Sequence, residues 1–446
     1  IIEGGGSDKA IIKFTGRSTV GRESEREKNN NSRRWEVNER AIMRMNNEMV
    51  VVLMTVLAFQ QWVVSQNVMG IGVGINLGNG AGLWVGNGGA TEAPAPPSSS
   101  PSPQLTTAYQ ALQAWKAAIV SDPNNILNSW VGQNVCSYNG VFCGDGGTVV
   151  GIDLNRANLQ GTLVSELAFF ADLAILHLNS NRFYGNVPAS FNNLVSLREL
   201  DLSNNRFSGG FPAVTLDIPN LLYLDLRFNS FSGPIPSALF NNKLDAIFLN
   251  NNNFDGEVPQ SLGNSQASVI NLANNHLIGS LPITFGLTNF KLKEILLLNN
   301  QLTGCIPQQM GLFSQLEVLD VSFNSFNGNV PDSLSCLNML EVLNLEHNLL
   351  SGELPDVVCS IKSLLNLTIS FNFFSKFSQQ CEKLFSANSG FDLSLNCIPG
   401  IGLQRPSPQC SVGPGGGLNC LTIPLVQPLI CATLFTGLGA NITLVP

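Results

Sequence analysis

Leucines and their aliphatic substitutes recur through the middle of the chain with a period of about 24 residues. The segments read IDLNRANLQG (152–161), LHLNSNRFYG (176–185), LDLSNNRFSG (200–209), LDLRFNSFSG (224–233), IFLNNNNFDG (247–256), INLANNHLIG (270–279), ILLLNNQLTG (295–304), LDVSFNSFNG (319–328), LNLEHNLLSG (343–352) and LTISFNFFSK (367–376). Each opens on an apolar–x–apolar triplet with the period-two alternation of a short strand, its aliphatic residues inward and the residue between them outward. One such unit cannot bury its apolar edge alone, so the units must stack and share a core.

Together the segments follow LxLxxNxLxG, the leucine-rich-repeat pattern. The asparagine recurs as Asn181, Asn205, Asn229, Asn252, Asn275, Asn300, Asn324, Asn348 and Asn372, with Ala157 in its place in the first unit. A buried amide there satisfies backbone groups of adjacent turns and predicts a ladder along the stack. Phe183, Phe207, Phe231, Phe254, Phe326 and Phe374 take the next apolar slot and predict an inner aromatic column. Eight units carry proline three residues after the glycine, from Gly185/Pro188 to Gly352/Pro355. This GxxP form resembles the plant-specific class of leucine-rich repeats. The expected fold is therefore an α/β solenoid of ten repeats over residues 149–380, with a parallel concave β-sheet. The class resemblance implies a right-handed superhelix, a second short sheet and disulfide-capped ends. At about 4.8 Å per strand the concave sheet is roughly 45 Å long.

Ten cysteines point to an oxidising compartment. Residues 43–65, with the apolar run MVVVLMTVLAFQQWVVSQ and small Ser65, read as a signal peptide. Residues 1–42 read as a non-native or upstream extension; a cytosolic tail on a signal anchor is the competing reading. Residues 66–104, Gly-rich and then Pro/Ser-rich, read as a disordered linker, either O-glycosylated or a plain spacer. Residues 105–148 form an N-terminal cap: Leu105, Ala108, Tyr109, Leu112, Trp115 and Ile119 predict a helix, and Cys136 with Cys143 predict a disulfide closing the apolar end. Residues 381–420 form the C-terminal cap. The apolar tail 421–446 is either a lipid-anchor signal or a spurious terminus.

The cap QLTTAYQALQAWKAAIVSDPNNILNSWVGQNVCSYNGVFC narrows the resemblance. Together with LDLRFNSFSGPIP, LDAIFLNNNNFDGEVP, VINLANNH and NCIPGIGLQRPSPQC, it is similar to the leucine-rich-repeat domain of plant leucine-rich-repeat extensins over about residues 105–420. The resemblance implies an extracellular, cell-wall domain that binds small basic cysteine-rich peptides of the rapid-alkalinisation type and needs no cofactor. It also implies a Ser-Pro-rich extensin tail, which the residues after Cys410 do not show. No kinase motif is present either.

Of the remaining cysteines, Cys359 with Cys381 and Cys397 with Cys410 are the expected pairs, with Cys336–Cys359 as a rival. In the family, the slot neighbouring Cys305 often holds a cysteine. Ser280 stands there, so Cys305 is expected to lack a partner. Cys420 and Cys431 pair with each other or link two chains as a dimer.

The register then places the outward surface. Glu199, Asp201, Tyr223, Asp225, Arg227, Phe248, Leu296 and Asp320 are the candidate ligand-binding residues on the concave face. Like charges at Glu199, Asp201 and Asp225 on neighbouring strands oppose folding unless compensated, and a basic ligand would compensate them. The alternative is that these aspartates bond neighbouring backbone. Phe248 and Leu296 make the centre apolar, as a binding floor or a surface covered by a partner. Residues 105–410 hold 22 acidic and 13 basic residues, a net charge of −9, which favours cationic peptides or extracellular proteins and disfavours nucleic acid and acidic cell-wall polysaccharide. Asn366 and Asn441 open N-x-T glycosylation sequons. His177, His276 and His347 lie in different repeats, with no metal spacing and no catalytic set. Secreted peptide binding is the leading expectation. Inhibition of a cell-wall hydrolase, as by polygalacturonase-inhibiting proteins, is the second, although those usually carry more N-terminal cysteines.

Overall fold

The computed structural model describes residues 74–77, 81–84, 103–286, 291–377, 379–387, 391–411 and 420. The readings of 1–42 and 43–65, the tail 421–446, Asn441 and Cys431 lie outside these residues. The chain divides into two compact units, Ile1–Ala95 and Pro96–Pro446. In the first, Gly74–Leu77 pairs antiparallel with Ala81–Trp84. This hairpin lies within the segment 66–104 read as a linker.

In the second unit the repeat strands form two parallel sheets side by side. The main sheet runs from Val149–Asp153 through Ile175–His177, Glu199–Asp201, Tyr223–Asp225, Ala246–Phe248, Val269–Asn271, Glu294–Leu296, Val318–Asp320 and Val342–Asn344 to Asn366–Thr368. The register aligns repeats residue for residue: Leu200 pairs with Leu224, and Asp201 with Asp225. Each repeat adds one strand to the second sheet, among them Arg206–Gly209 and Ser230–Pro234. The motif glycine is the last or next-to-last residue of those strands and takes positive φ, 92° at Gly209, which a side chain would strain.

The main sheet extends one strand beyond the ten expected repeats. Phe391–Asp392 pairs with Leu367–Thr368, inside the segment assigned to the C-terminal cap. The reason is visible in FDLSLNCIPG (391–400), which keeps the repeat's apolar, asparagine and glycine positions, with Phe391 in place of the first leucine. Asn396 accordingly extends the ladder. Its Oδ1 accepts from the Phe374 N–H at 3.1 Å, and its Nδ2 donates to the Ile369 carbonyl at 2.9 Å. Upstream members behave alike: Asn252 accepts from Phe231 N–H and donates to the carbonyls of Leu226 and Leu249. Each rung ties successive turns through a buried, satisfied amide.

The aromatic column forms beneath the sheets. Phe183, Phe207, Phe231 and Phe254 stack at centroid spacings of 6.2–6.4 Å. Leu277 and Leu302 then interrupt the column before Phe326, which is buried, as is Phe374. The cap helix Pro103–Ala118 continues it at the other end, with Trp115 stacked 5.9 Å from Phe183 and its indole N–H bonded to the Thr162 carbonyl. Antiparallel strands close the first edge of both sheets: Val141–Cys143 on the main sheet and Ile119–Ser121 on the second. Unpaired edges invite association, so this cap protects as well as covers.

Disulfides join Cys136–Cys143, Cys359–Cys381 and Cys397–Cys410. Cys305 is not without a partner. It pairs with Cys420, 115 residues away, which also removes a Cys420–Cys431 bridge. Column arithmetic compares slots on neighbouring turns and cannot register a bridge between residues 115 apart. Cys336 is disulfide-bonded, and because Cys359 bonds Cys381 the rival Cys336–Cys359 pairing does not occur.

Candidate functional site

Three outward columns run along the main sheet: Glu199–Tyr223–Ala246, then Asp201–Asp225–Phe248, then Ser203–Arg227–Asn250. The structure brings the central candidates together. Tyr223, Asp225, Arg227 and Phe248 form one cluster, while Leu296 and Asp320 stand on strands farther along the sheet. Arg227 Nε lies 3.0 Å from Asp225 Oδ2, the Tyr223 hydroxyl donates to the same oxygen at 3.1 Å, and the Arg227 backbone N–H donates to Oδ1. The guanidinium sits 5.1 Å from the centre of the Phe248 ring, a cation–π distance, and Tyr223 packs on the same ring at 5.5 Å.

This cluster is buried rather than open. Asp225 is 0% exposed, Asp201 4%, Phe248 6% and Arg227 8%. The charge compensation expected from a ligand is thus made largely inside the sheet, by Arg227. Asp201 is occupied by the Ser203 N–H and hydroxyl, the backbone-bonding alternative. Burial and the nearby Asp201 charge raise the Asp225 carboxyl to about 8 against the pull of Arg227. Burial first, and then the charge of Asp225, also raise the Tyr223 phenol.

Exposed carboxylates frame this centre. Asp153 and Asp392 are exposed at the two ends, Glu199 and Glu294 are half-buried, and so is Glu346. The His177 Nε2 lies 3.0 Å from Glu199 Oε2. Burial acts most strongly on His177 and lowers its pKa, but the Glu199 bond and the charges of Asp201, Glu199 and Asp153 outweigh it, leaving a net rise. Glu346 is raised to about 7 by burial, then by Asp392 and Asp320. Asp320 itself keeps some residue exposure, but its carboxyl is enclosed by Ser322 and Asn344, and burial raises it. Asn366 lies half-buried one strand from the end of the face, its Oδ1 accepting from the Thr368 hydroxyl at 3.2 Å.

Sequence reasoning missed two features. One is a stack on the left-handed position after the strand, where His347 lies 4.3 Å from Phe323 and 3.8 Å from Phe371. The other is a row of side-chain caps. Asp153, Asp201, Asp225, Asn271, Asp320, Asn344 and Asp392 each accept the backbone N–H two residues on. The recurring Asx at that slot was the available signal. Among the described residues no group of three or more His, Cys, Asp or Glu side chains is arranged to hold a metal, and no helix is long and apolar enough to cross a membrane.

Stacked parallel strands, an asparagine ladder, GxxP turns and cysteine-closed ends define a plant-type leucine-rich-repeat protein. Family models for the leucine rich repeat N-terminal domain and the leucine rich repeat match residues 106–144 and 171–231, with further repeats at 315–337 and 339–361. The repeat domain is similar to leucine-rich repeat extensin-like proteins. Leucine-rich repeat extensin-like protein 7 of Arabidopsis thaliana is 58% identical over 227 residues, covering 50% of this chain and 52% of that protein. Extensin-like protein 2 of the same plant is 61% identical over 156 residues, 34% of this chain and 20% of that protein. The chain therefore spans about half or less of the relatives it matches. Among solved structures, the repeat ectodomain of the Arabidopsis receptor kinase HAESA with an extended IDA peptide hormone is 29% identical, covers 66% of this chain and 49% of that one, and has a TM-score of 0.58. A plant ice-binding protein is 25% identical over 67% of this chain and 97% of its own, at a TM-score of 0.56. One scaffold thus carries unrelated ligands.

Proposed function

We propose that this is a secreted cell-wall protein whose concave face binds basic, cysteine-rich signalling peptides in cell-wall development or signalling. The observation that carries the reading is the charge arrangement. Central Asp225 is neutralised by Arg227, whereas Asp153, Glu199, Glu294, Glu346 and Asp392 keep carboxylates at least partly open along the same face. A cationic ligand meets partly open carboxylates at the rim and an apolar, hydrogen-bonded floor between. The net −9 of residues 105–410 supports the same sign of partner, and the likeness to extensin-like proteins and to a peptide-hormone receptor ectodomain supports a peptide. The disulfide set fits an oxidising, extracellular compartment.

The test is direct binding of the full chain to a synthetic basic cysteine-rich peptide of the rapid-alkalinisation type and, in parallel, to a cell-wall polygalacturonase, each at two salt concentrations. Peptide binding that weakens as salt rises supports the reading. Binding to the polygalacturonase alone, with inhibition of its activity, replaces it with the hydrolase-inhibitor reading.

A further inference from the structure

The row of caps along the concave sheet has gaps. In this row each main-sheet strand is followed by a backbone N–H that takes no part in the sheet ladder. Seven such N–H groups are accepted by their own Asp or Asn two residues earlier. At the second repeat His177 stands in that slot, and Asn155 of the preceding turn supplies the missing acceptor to the Asn179 N–H at 2.6 Å. Phe248, Leu296 and Thr368 occupy the slot in three further turns. Among the described residues, the backbone N–H groups of Asn250, Leu298 and Ser370 then have no acceptor. Asn250 is 7% exposed and its Oδ1 has no hydrogen-bond partner either, and the Ser370 hydroxyl is likewise unpaired. The Asn250 and Leu298 N–H groups thus stand beside Phe248 and Leu296 with their bonding capacity unused, which points to an outside partner.

The spacing of the first two gaps specifies the partner's shape. Asn250 and Leu298 are two strands apart, because the Ala273 N–H between them is capped by Asn271. At about 4.8 Å per strand the gap is about 9.6 Å. A polyproline-II segment rises about 3.1 Å per residue with three residues per turn, so every third carbonyl faces one direction at a repeat of about 9.3 Å. A β-extended segment, at about 3.4 Å per residue, presents like-facing carbonyls at about 6.8 or 13.6 Å and fits poorly.

We propose that the Asn250 and Leu298 N–H groups are an acceptor-reading subsite for a polyproline-II stretch of the bound peptide, taking carbonyls three residues apart. Apolar side chains of the same stretch rest on the floor made by Phe248 and Leu296. This deepens the peptide-binding reading and rests on it.

The test exploits the protein's own caps. Leu296→Asp and Leu296→Asn each install the acceptor found in seven other turns, so the fold has a place for them. On charge alone, Leu296→Asp would tighten binding of a basic peptide. The subsite predicts the opposite: both variants close the Leu298 N–H and weaken binding of the synthetic basic peptide tenfold or more. Leu296→Ala, which loses apolar contact but leaves the N–H open, weakens it only about threefold. Equal losses for Leu296→Asn and Leu296→Ala, or tighter binding by Leu296→Asp, overturn the subsite while leaving peptide binding intact. Absence of any binding by the unmodified chain overturns both. Hydrogen exchange checks the geometry without reliance on affinity: the Leu298 amide should slow on peptide addition in the unmodified chain, and an unchanged rate contradicts the assignment.

Discussion

Arg227 reaches over one residue to place its Nε 3.0 Å from the Asp225 carboxylate, and both side chains lie below the concave surface. Because each is buried, each depends on the other. Arg227→Leu should strand a carboxylate flanked by Asp201 and destabilise the solenoid by about 3–5 kcal/mol, whereas a joint Asp225→Asn/Arg227→Leu change should cost clearly less. A double-mutant cycle by chemical denaturation checks this. Additive losses would mean the pair is not coupled.

Stability should fall as pH rises. Glu346 is raised from 4.5 to about 7, and burial raises Asp320 as well, so both carboxyls hold protons in the folded state at pH values where the unfolded chain has released them. A raised acid contributes its full stability below the unfolded value and loses it as pH climbs through the folded one. His177, also raised, acts in the same direction through its upper range. The melting temperature should therefore be higher at pH 5 than at pH 8, by about 3–6 °C, and Glu346→Gln should flatten the profile between pH 5 and 7. A flat profile in the unmodified chain would refute the raised values.

The long bridge Cys305–Cys420 closes 115 residues. Loop-closure entropy gives such a bridge about 4–5 kcal/mol in principle. Cys420→Ser should lower the melting temperature and open the chain after Cys410 to limited proteolysis, while Cys136→Ser should leave that cleavage unchanged. Mass spectrometry of the fragments separates the two results.

How much of this was legible in the sequence depends on whether the relevant interaction repeats. Leu200, Leu224 and Asn252 declare strand, core and ladder because every turn restates them. The eleventh turn, FDLSLNCIPG, is less legible because Phe391 replaces the opening leucine and Cys397 draws the segment into the cap. Cys305–Cys420 is not legible because a bridge across 115 residues leaves no periodic trace. At the site, register located Asp201, Asp225 and Phe248 on the correct columns, yet not their burial. That depends on Arg227 lying across Asp225 and Phe248, a side-chain conformation that alternation does not specify. The gaps at Asn250 and Leu298 required knowing that neighbouring Asx residues cap the backbone.

Asn366 stands half-buried on the last full repeat strand, and its Nδ2 makes no bond among the described residues. A glycan there would bound the concave face and direct ligands toward earlier repeats. Glycosidase treatment of protein secreted from plant cells should reduce its mass by one core glycan more than it does for Asn366→Gln. Identical shifts for the two proteins would remove the glycan from the account.

The most direct test of concave-face recognition is the affinity of a charge-reversed rim, measured by calorimetry on the full chain with the synthetic basic peptide. Asp153→Lys/Glu199→Lys changes residues that keep exposure, and so leaves the buried Asp225–Arg227 pair in place. Loss of about tenfold or more in affinity, most pronounced at low salt, is the predicted result. An affinity unchanged at every salt concentration would contradict recognition by this face.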